Sequence, residues 1–191
     1  MPKAFEIKAQ PLPYVDRLEA REAASVDLVV MHCTELPDLA TAREFGERVQ
    51  DPARCTGFSG HFYVDRDGAS YRYVPLDRIA HHTRGYNPRS VGIELVNLGR
   101  FPDWFDSRRQ VMTEPYSARQ IEALICLLCD LKSELPNLEF LAGHEDLDQG
   151  RVASSDAPGV EVFRKRDPGP LFPWPDVLAG SNLKRMTNDS D

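Results

Sequence analysis

Residues 25–32, SVDLVVMH, form the apolar stretch around which the rest of the sequence can be arranged. Consecutive apolar residues are typical of a strand buried on both faces, so the stretch predicts a central strand of a sheet. A second stretch of this kind, SVGIELVN, occupies residues 90–97. Because side chains alternate along a strand, Ile93 and Glu94 point to opposite faces of it.

Helix and turn patterns surround these two strands. The Asp-Gly pair at 67–68 predicts a hairpin across residues 60–74, because glycine tolerates the positive φ that a tight turn requires. Ser117 is predicted to cap a long leucine-rich helix, with Gln120 in the capping-box position. Other patterns predict a helix at 39–49 capped by Asp38, a strand at 138–143 and a last helix from 175. Alternating strands and helices indicate an α/β layered domain.

The length of 191 residues fits one domain, 1–191, with its core at about 25–175. Residues 1–20 are expected to be a loosely attached leader, because Pro11 and Pro13 would break a helix there. The charged, Gly- and Pro-containing stretch 145–170 is expected to be mainly loop. The polar residues 180–191 are expected to form a frayed tail.

Composition excludes several classes of function. The net charge is −7 and basic residues are scattered among acids, so a general nucleic-acid binder is not expected. No apolar run reaches the roughly 20 residues of a membrane span, and the start shows no secretory signal, so a cytoplasmic location is expected. The four cysteines are expected to be free thiols. For the C-x-x-C pair at 126–129, packed or surface thiols are the preferred interpretation, and a redox or metal-binding pair is the alternative.

Two histidines end apolar strands, and a carboxylate follows later in the chain. Each of His32 and His144 alone is more often a structural residue than a ligand, but their matching positions raise the possibility of a metal site. Asp167 precedes Pro-Gly-Pro, where an Asp is ordinarily a turn or helix-cap residue. Two histidines and a carboxylate, with a fourth position left to water, are nonetheless what a catalytic zinc ion requires.

Further candidates lie near these positions. Glu94, within an apolar strand, is either a general base beside a metal or an ordinary surface or salt-bridged carboxylate. Lys165 lies two residues before Asp167, where it could stabilise an oxyanion or simply be solvated. His81 and His82 are adjacent, so at most one is expected to face a site. His61 is expected in the core or behind the site.

The combination of these segments resembles zinc-dependent N-acetylmuramoyl-L-alanine amidases of the amidase-2 type, which are related in fold to peptidoglycan-recognition proteins. The resemblance covers roughly residues 25–175, in the family's order. It is carried by VVMHCTE (29–35), SGHFYVDRDG (59–68), YVPLDRIAHHTRGYN (73–87), SVGIELVN (90–97), LAGHEDL (141–147) and RKRDPGPLFPW (164–174).

The resemblance implies a fold and a set of residue roles. The fold is a central mixed β-sheet flanked by α-helices. His32, His144 and Asp167 are implied as the ligands of one Zn²⁺ per chain. Glu94 is implied as the catalytic glutamate and Lys165 as the lysine that binds the oxyanion. His82 is implied as a substrate-binding residue at the rim of the cleft.

One position separates two branches of the family. Some relatives have a tyrosine directly before His-Phe and a non-acidic residue where this chain has Glu94. Here the residue before His61 is Gly60, which groups the chain with the branch that uses glutamate. The segment between His144 and Asp167 is also longer than in the shortest members, and residues 149–162 are expected to form a loop beside the cleft.

The implied activity is hydrolysis of the amide between the lactyl group of N-acetylmuramic acid and L-alanine of the peptidoglycan stem peptide. The implied partners are peptidoglycan or muramyl-peptide fragments. Because the sequence shows no signal peptide and no appended wall-binding repeat, a role in cell-wall recycling is expected. The alternative is a recognition module that binds muramyl peptides without cutting them. The sequence leaves open the choice between anhydromuramyl fragments and intact wall, the stem-peptide length and the oligomeric state.

Overall fold

Strands and helices alternate along the chain in the computed structural model, which describes residues 6–187. The strands are β1 (Ile7–Ala9), β2 (Leu28–Cys33), β3 (Phe62–Val64), β4 (Ser70–Arg72), β5 (Ser90–Leu95), β6 (Phe140–Gly143), β7 (Arg151–Ala153), β8 (Glu161–Phe163) and β9 (Lys184–Arg185). The α-helices are α1 (Leu39–Glu47), α2 (Ala118–Glu134), α3 (His144–Leu147) and α4 (Trp174–Ser181). Single 3-10 turns lie at Val15–Arg17, Ala23–Ser25 and Asn87–Arg89.

Within the described residues, seven strands form one sheet in the order β1-β4-β3-β5-β2-β6-β9. The predicted central strand β2 is buried at every position and pairs in parallel with β5 and β6. The β3–β4 pair is antiparallel, as the predicted hairpin requires. The prediction of a central mixed sheet flanked by α-helices is therefore confirmed.

Helices α2 and α4 cover one face of the sheet. Leucines at helical spacing on α2 pack against apolar side chains of β2 and β5 in the main hydrophobic core. The Ser117 hydroxyl caps α2 by accepting a hydrogen bond from the Gln120 amide at 3.1 Å. The expected capping box is wrong in its second half, because the Gln120 side chain donates to the Val64 and Val96 carbonyls instead.

The opposite face of the sheet carries the polar strand positions. Val29 and Met31 belong to the core beneath α2, whereas Val30 lies in a separate cluster on the other side. Strand alternation therefore directs His32 to the face away from α2. The same alternation on β5 directs Glu94 to that face.

The expectation of a loosely attached leader at 1–20 is wrong for the described part of that segment. β1 pairs with β4 and so extends the sheet. Beyond it, Leu12 and Tyr14 are buried in a second hydrophobic cluster. The Tyr14 hydroxyl donates to the Gly46 carbonyl at 2.6 Å. The two prolines exclude a helix, but an extended segment can still bury its apolar side chains.

The expectations for 145–170 and 180–191 also need correction. The first stretch contains most of α3 and the antiparallel β7–β8 hairpin. In the second, Gly180 and Ser181 end α4, and β9 pairs in parallel with β6. The missed strands have two or three residues each, too few to show a hydrophobic period, and no Asp-Gly pair marks them as it marks the β3–β4 turn. Residues 188–191 of the expected tail lie outside the described residues.

Two sequence expectations concern membrane and thiol chemistry. No helix in the range 6–187 has the length and hydropathy needed to cross a bilayer. All four cysteines lie in the described range and are free thiols, Cys33 buried and Cys55, Cys126 and Cys129 exposed.

Candidate active site

Three strand positions place the central residues of the site. His32 and Glu94 are direct neighbours in the parallel register of β2 and β5. Met31 pairs with Gly143 at the end of β6, and His144 follows at once as the first residue of α3. The carboxyl ends of parallel strands meet at one edge of a sheet, which brings both histidines to the same place.

His32, His144 and Asp167 converge as a buried cluster. One ligand atom from each lies within 4.8 Å of the others. The Asp167 Oδ2 atom lies 2.9 Å from Nδ1 of His32 and 3.0 Å from Nδ1 of His144. Asp167 Oδ1 is buried and has no hydrogen-bond partner among the described residues. Two ring nitrogens and a carboxylate directed at one point form a donor set that fits a divalent metal ion.

Backbone contacts fix Asp167 against the histidine-bearing turn. The Glu145 amide donates to the Asp167 carbonyl at 2.9 Å. Gly143 permits close packing there, because a Cβ on it would lie 3.0 Å from Pro168 Cδ. The Tyr116 hydroxyl donates to the Pro168 carbonyl at 2.7 Å. The site therefore joins β6, the start of α2 and the segment after β8.

Burial and neighbouring charge set the protonation of the cluster. Burial lowers the pKa of His32 to about 4, helped by His144. Burial opposes ionisation of Asp167, but His144 and His32 outweigh it and hold the pKa of that carboxyl well below its ordinary value. A neutral His32 and an ionised Asp167 are the forms that coordinate metals.

Glu94 is the second carboxylate of the cleft. Burial, followed by the negative charge of Asp167, raises the pKa of Glu94 to about 8, and Lys165 opposes the rise. A carboxylate with a raised pKa is a stronger base than one in water, which suits proton transfer. A Cβ on Gly60 would lie 2.9 Å from Glu94 Cγ, so the glycine leaves the room that this side chain occupies.

Lys165 and His82 are the two other predicted residues of the site. Lys165 is half-buried and lines the same cleft as Glu94. His82 Nδ1 lies 3.0 Å from Nε2 of His32 and 3.0 Å from the Thr83 hydroxyl. His82 therefore lines the cleft and also contacts His32 at Nε2, the ring nitrogen that does not face Asp167. That contact was not expected from a rim position.

His61 lies behind the cleft, in the position expected for it. The residue is fully buried, and its Nδ1 accepts a hydrogen bond from the Gly92 amide at 3.1 Å. Its ring makes an edge contact with His82 at a centroid distance of 5.7 Å. His81 also borders the cleft, which sequence reasoning on adjacent residues did not expect.

The cleft has a volume of about 970 Å³. Aromatic side chains from α1 and two loops line it, namely Phe45, Phe58, Trp104 and Phe105. Phe58 and Phe105 are exposed. A cluster of polar, metal-binding side chains in a cleft with apolar walls is typical of a small-molecule site.

Sequence reasoning missed a buried ion pair beside the site. Glu35, three residues after His32, pairs with Arg100 through two hydrogen bonds of 2.7 and 2.8 Å. The partners are far apart in sequence and form no local motif. The sequence signal is no more than a charged residue in the segment after each of the two central strands, Glu35 after β2 and Arg100 after β5.

Comparisons with known proteins agree with this architecture. The family described as N-acetylmuramoyl-L-alanine amidase, amidase-2, matches residues 22–170. N-acetylmuramoyl-L-alanine amidase AmiD of Escherichia coli strain K12 is 34% identical over 112 residues, 54% of this chain and 35% of AmiD. The 1,6-anhydro-N-acetylmuramyl-L-alanine amidase AmpD of Enterobacter cloacae is 28% identical over 120 residues, 58% of this chain and 50% of AmpD.

A solved structure shares the fold over nearly the whole chain. The N-acetylmuramoyl-L-alanine amidase LysC from Clostridium intestinale URNW matches with a TM-score of 0.65 and 22% identity, covering 94% of this chain and 99% of LysC. The family match spans most of this sequence, so the chain belongs to the amidase-2 family. The alignments span about a third of AmiD and half of AmpD.

Proposed function

We propose that this chain is a zinc-dependent N-acetylmuramoyl-L-alanine amidase. It hydrolyses the amide bond between the lactyl group of N-acetylmuramic acid and L-alanine of the stem peptide. The observation that carries the proposal is the convergence of His32, His144 and Asp167 in a cleft that Glu94 and Lys165 also line. Membership of the amidase-2 family supports the same chemistry.

Zinc is the proposed metal, held by His32, His144 and Asp167, one ion per chain. Two imidazoles and one carboxylate, with a further position left open, form a catalytic rather than a structural zinc set. The Oδ1 atom of Asp167 is buried and has no hydrogen-bond partner among residues 6–187, so it remains available as an acceptor. When bound there, zinc would supply Lewis acidity, which activates water and polarises a carbonyl.

The chain's own residues move the proton and oppose the developing charge. Glu94 accepts the proton of the attacking water and returns it to the leaving nitrogen of L-alanine, so the amide yields a carboxylic acid and an amine. The Lys165 ammonium group stabilises the negative charge on the former carbonyl oxygen. His82 holds the His32 ring through the 3.0 Å contact and also borders the substrate.

The proposed substrates are soluble muramyl-peptide fragments of cell-wall recycling. A cleft of about 970 Å³ is large enough to hold a small muramyl peptide. The name of AmpD identifies a 1,6-anhydro substrate for that relative. A cytoplasmic location remains a prediction, to be tested by fractionation of cells that produce the protein from its own gene.

The proposal is tested by mass spectrometry of two substrates, soluble anhydromuramyl peptide and intact sacculi. Each is incubated with zinc-loaded protein and with a chelated control. Release of free stem peptide from the soluble substrate, abolished by chelation, is the expected result. Release from sacculi as well would contradict restriction to fragments. Binding without release would overturn the amidase proposal in favour of a recognition module.

Two variants separate the proposed roles in that assay. Glu94→Gln keeps the shape of the side chain but cannot accept a proton, so we expect turnover to fall by roughly 10²–10⁴-fold with zinc binding retained. His32→Ala is expected to lose zinc as well as activity. Turnover by Glu94→Gln at the wild-type rate would show that another group is the base.

A further inference from the structure

Arg100 is almost completely enclosed, with 1% of its side chain exposed. Its Nε and one Nη donate to the two carboxylate oxygens of Glu35, at 2.7 and 2.8 Å. The backbone amide of Arg100 donates to the same carboxylate at 3.1 Å. The two hydrogen bonds to one carboxylate fix both the orientation and the position of the guanidinium group.

The remaining donors of Arg100 reach the segment that carries Lys165. They contact the Phe163 carbonyl at 2.9 Å, the Arg164 carbonyl at 3.3 Å and the Gln110 side chain at 3.2 Å. A guanidinium group has five N–H donors, and all five are used here. The Arg164 carbonyl belongs to the peptide unit that precedes Lys165, so Arg100 holds the backbone from which the lysine projects.

Glu35 connects the Arg100 guanidinium group to the strand that carries His32. It follows β2 three residues after His32 and has a positive φ of 48°. A Cβ on Gly99 would lie 2.5 Å from Glu35 Cγ, and Gly99 itself has a φ of 54°. The Trp104 indole N–H donates to the Glu35 carbonyl at 3.1 Å. The positive φ of Glu35 and the close packing of Gly99 against its side chain show that this pairing is fixed by its surroundings.

We propose that Arg100 is a positioning residue that sets the distance between the strand carrying His32 and the segment carrying Lys165. The inference rests on the proposed amidase function. A lysine that stabilises an oxyanion must be held close to its required position, since a displacement of about 1 Å can cost roughly 100-fold in rate. Burying an ion pair is a poor route to stability by itself, so stability alone does not explain its presence.

Arg66 and Glu114 form a second bidentate pair that serves as a control, with 36% of the Arg66 side chain exposed against 1% for Arg100. Arg66 also binds its carboxylate through two hydrogen bonds, at 2.6 and 3.0 Å, and donates to a backbone carbonyl, that of Pro37, at 2.8 Å. Within residues 6–187, the Arg66 side chain makes no hydrogen bond or ion pair with the segment before Lys165. Loss of an arginine pair in general can therefore be separated from loss of this one.

The experiment compares Arg100→Lys with Arg66→Lys in the zinc-loaded protein. Lysine keeps the charge but has three donors on one nitrogen, so it cannot hold Glu35 and both carbonyls together. For Arg100→Lys we expect kcat to fall by about 10- to 100-fold, with KM and the zinc Kd within about threefold of wild type. Arg66→Lys is expected to keep the wild-type kcat.

Hydrogen exchange on the zinc-free proteins provides a readout that does not depend on activity. We expect amides of residues 161–167 to exchange about tenfold faster in Arg100→Lys than in wild type or Arg66→Lys. Equal losses of kcat in the two variants, or unchanged exchange at 161–167 in Arg100→Lys, would overturn the proposal. If wild-type protein releases no stem peptide, the amidase function fails, and the exchange result alone decides whether Arg100 restrains this segment.

A double variant covers the case in which Arg100→Lys does not fold. Glu35→Leu with Arg100→Met replaces the buried ion pair with apolar side chains of similar length, an exchange that often preserves stability. It still removes the donors to the Phe163 and Arg164 carbonyls. We expect a folded protein with the same fall in kcat and the same faster exchange at 161–167, and a wild-type kcat in this variant would refute the positioning role.

Discussion

Glu94 has room on its strand because a neighbouring position has no side chain. A Cβ on Gly60 would lie 2.9 Å from Glu94 Cγ and 3.0 Å from the Gly92 carbonyl oxygen. Contacts this short require one of the partners to move, and the backbone carbonyl belongs to a strand paired on both sides. The side chain of Glu94 is therefore the group that would be displaced. A large side chain at position 60 and a glutamate at position 94 would therefore compete for the same space.

We expect Gly60→Ala to lower kcat by at least about tenfold while zinc still binds, because a misplaced base transfers the proton less well. Steady-state kinetics and zinc titration measure the two effects. Gly46→Ala is the control, since a Cβ there would meet nothing closer than 3.6 Å. A wild-type kcat for Gly60→Ala would show that the sheet adapts and that Gly60 does not determine the place of Glu94.

The segment that follows the edge strand β1 contributes buried side chains to the interior of the domain. Leu12, beyond β1, is 3% exposed and packs with Tyr14 in the second hydrophobic cluster. Replacing a buried leucine by alanine removes apolar contact and leaves a cavity. The segment before residue 20 therefore contributes to the stability of the domain.

We expect Leu12→Ala to lower the free energy of unfolding by about 2–4 kcal/mol, measured by urea denaturation. Leu171→Ala serves as the control, because Leu171 is 46% exposed and its truncation is expected to cost less than about 0.5 kcal/mol. A change below that size for Leu12→Ala would mean that the segment detaches from the sheet in solution.

The Arg66–Glu114 pair joins the β3–β4 turn to the segment before α2. Burial opposes ionisation of Glu114, but hydrogen bonds from Arg66 and from the Leu98 amide outweigh it and lower the pKa of the carboxyl below 4.5. A carboxyl with a lowered pKa in the folded state stabilises the fold above its unfolded pKa, and this contribution is lost as the pH falls through the folded value.

We expect Glu114→Gln to be less stable than wild type by about 1 kcal/mol at pH 7, since the carboxylate is partly exposed. The difference should shrink once the pH drops below 4.5 and vanish below the lowered pKa. Urea denaturation of both proteins between pH 7 and pH 3 measures it. A difference that stayed constant with pH would assign the effect to packing rather than to charge.

The sequence was sufficient to predict elements that carry a clear local signal. Strands β2 and β5 are apolar runs, the β3–β4 hairpin has an Asp-Gly turn, and α2 has leucines at helical spacing. His32 and Glu94 could be placed on the two strands, and His144 directly after the predicted strand 138–143. The β7–β8 hairpin and β9 could not be predicted, because their two or three residues carry no period and no Asp-Gly pair marks them as it marks the β3–β4 turn. The Glu35–Arg100 pair could not be predicted either, since its partners meet only after β2, β5 and the segment after β8 have packed together.

The proposed metal ligands come from three distant parts of the chain. His32 lies on β2, His144 comes directly after β6, and Asp167 lies in the segment after β8. Their ligand atoms lie within 4.8 Å of one another only because the parallel strands and the packing of Pro168 on Gly143 bring them together. The unfolded chain offers no such cluster, so a metal that binds here stabilises the folded state of the whole molecule.

We therefore expect zinc to raise the thermal midpoint of the metal-free protein. At a free zinc concentration about 100 times Kd, binding contributes about 2.7 kcal/mol, which corresponds to roughly 5–10 °C for a domain of this size. Differential scanning calorimetry at several zinc concentrations measures the shift. Asp167→Asn should lose most of it, because a neutral amide replaces the carboxylate. Cys126→Ser with Cys129→Ser should keep it, because these exposed thiols on α2 are not part of the cluster. A shift that disappeared in the cysteine variant and survived in Asp167→Asn would place zinc on the helix surface, and the cluster would then lose its assignment as the metal centre.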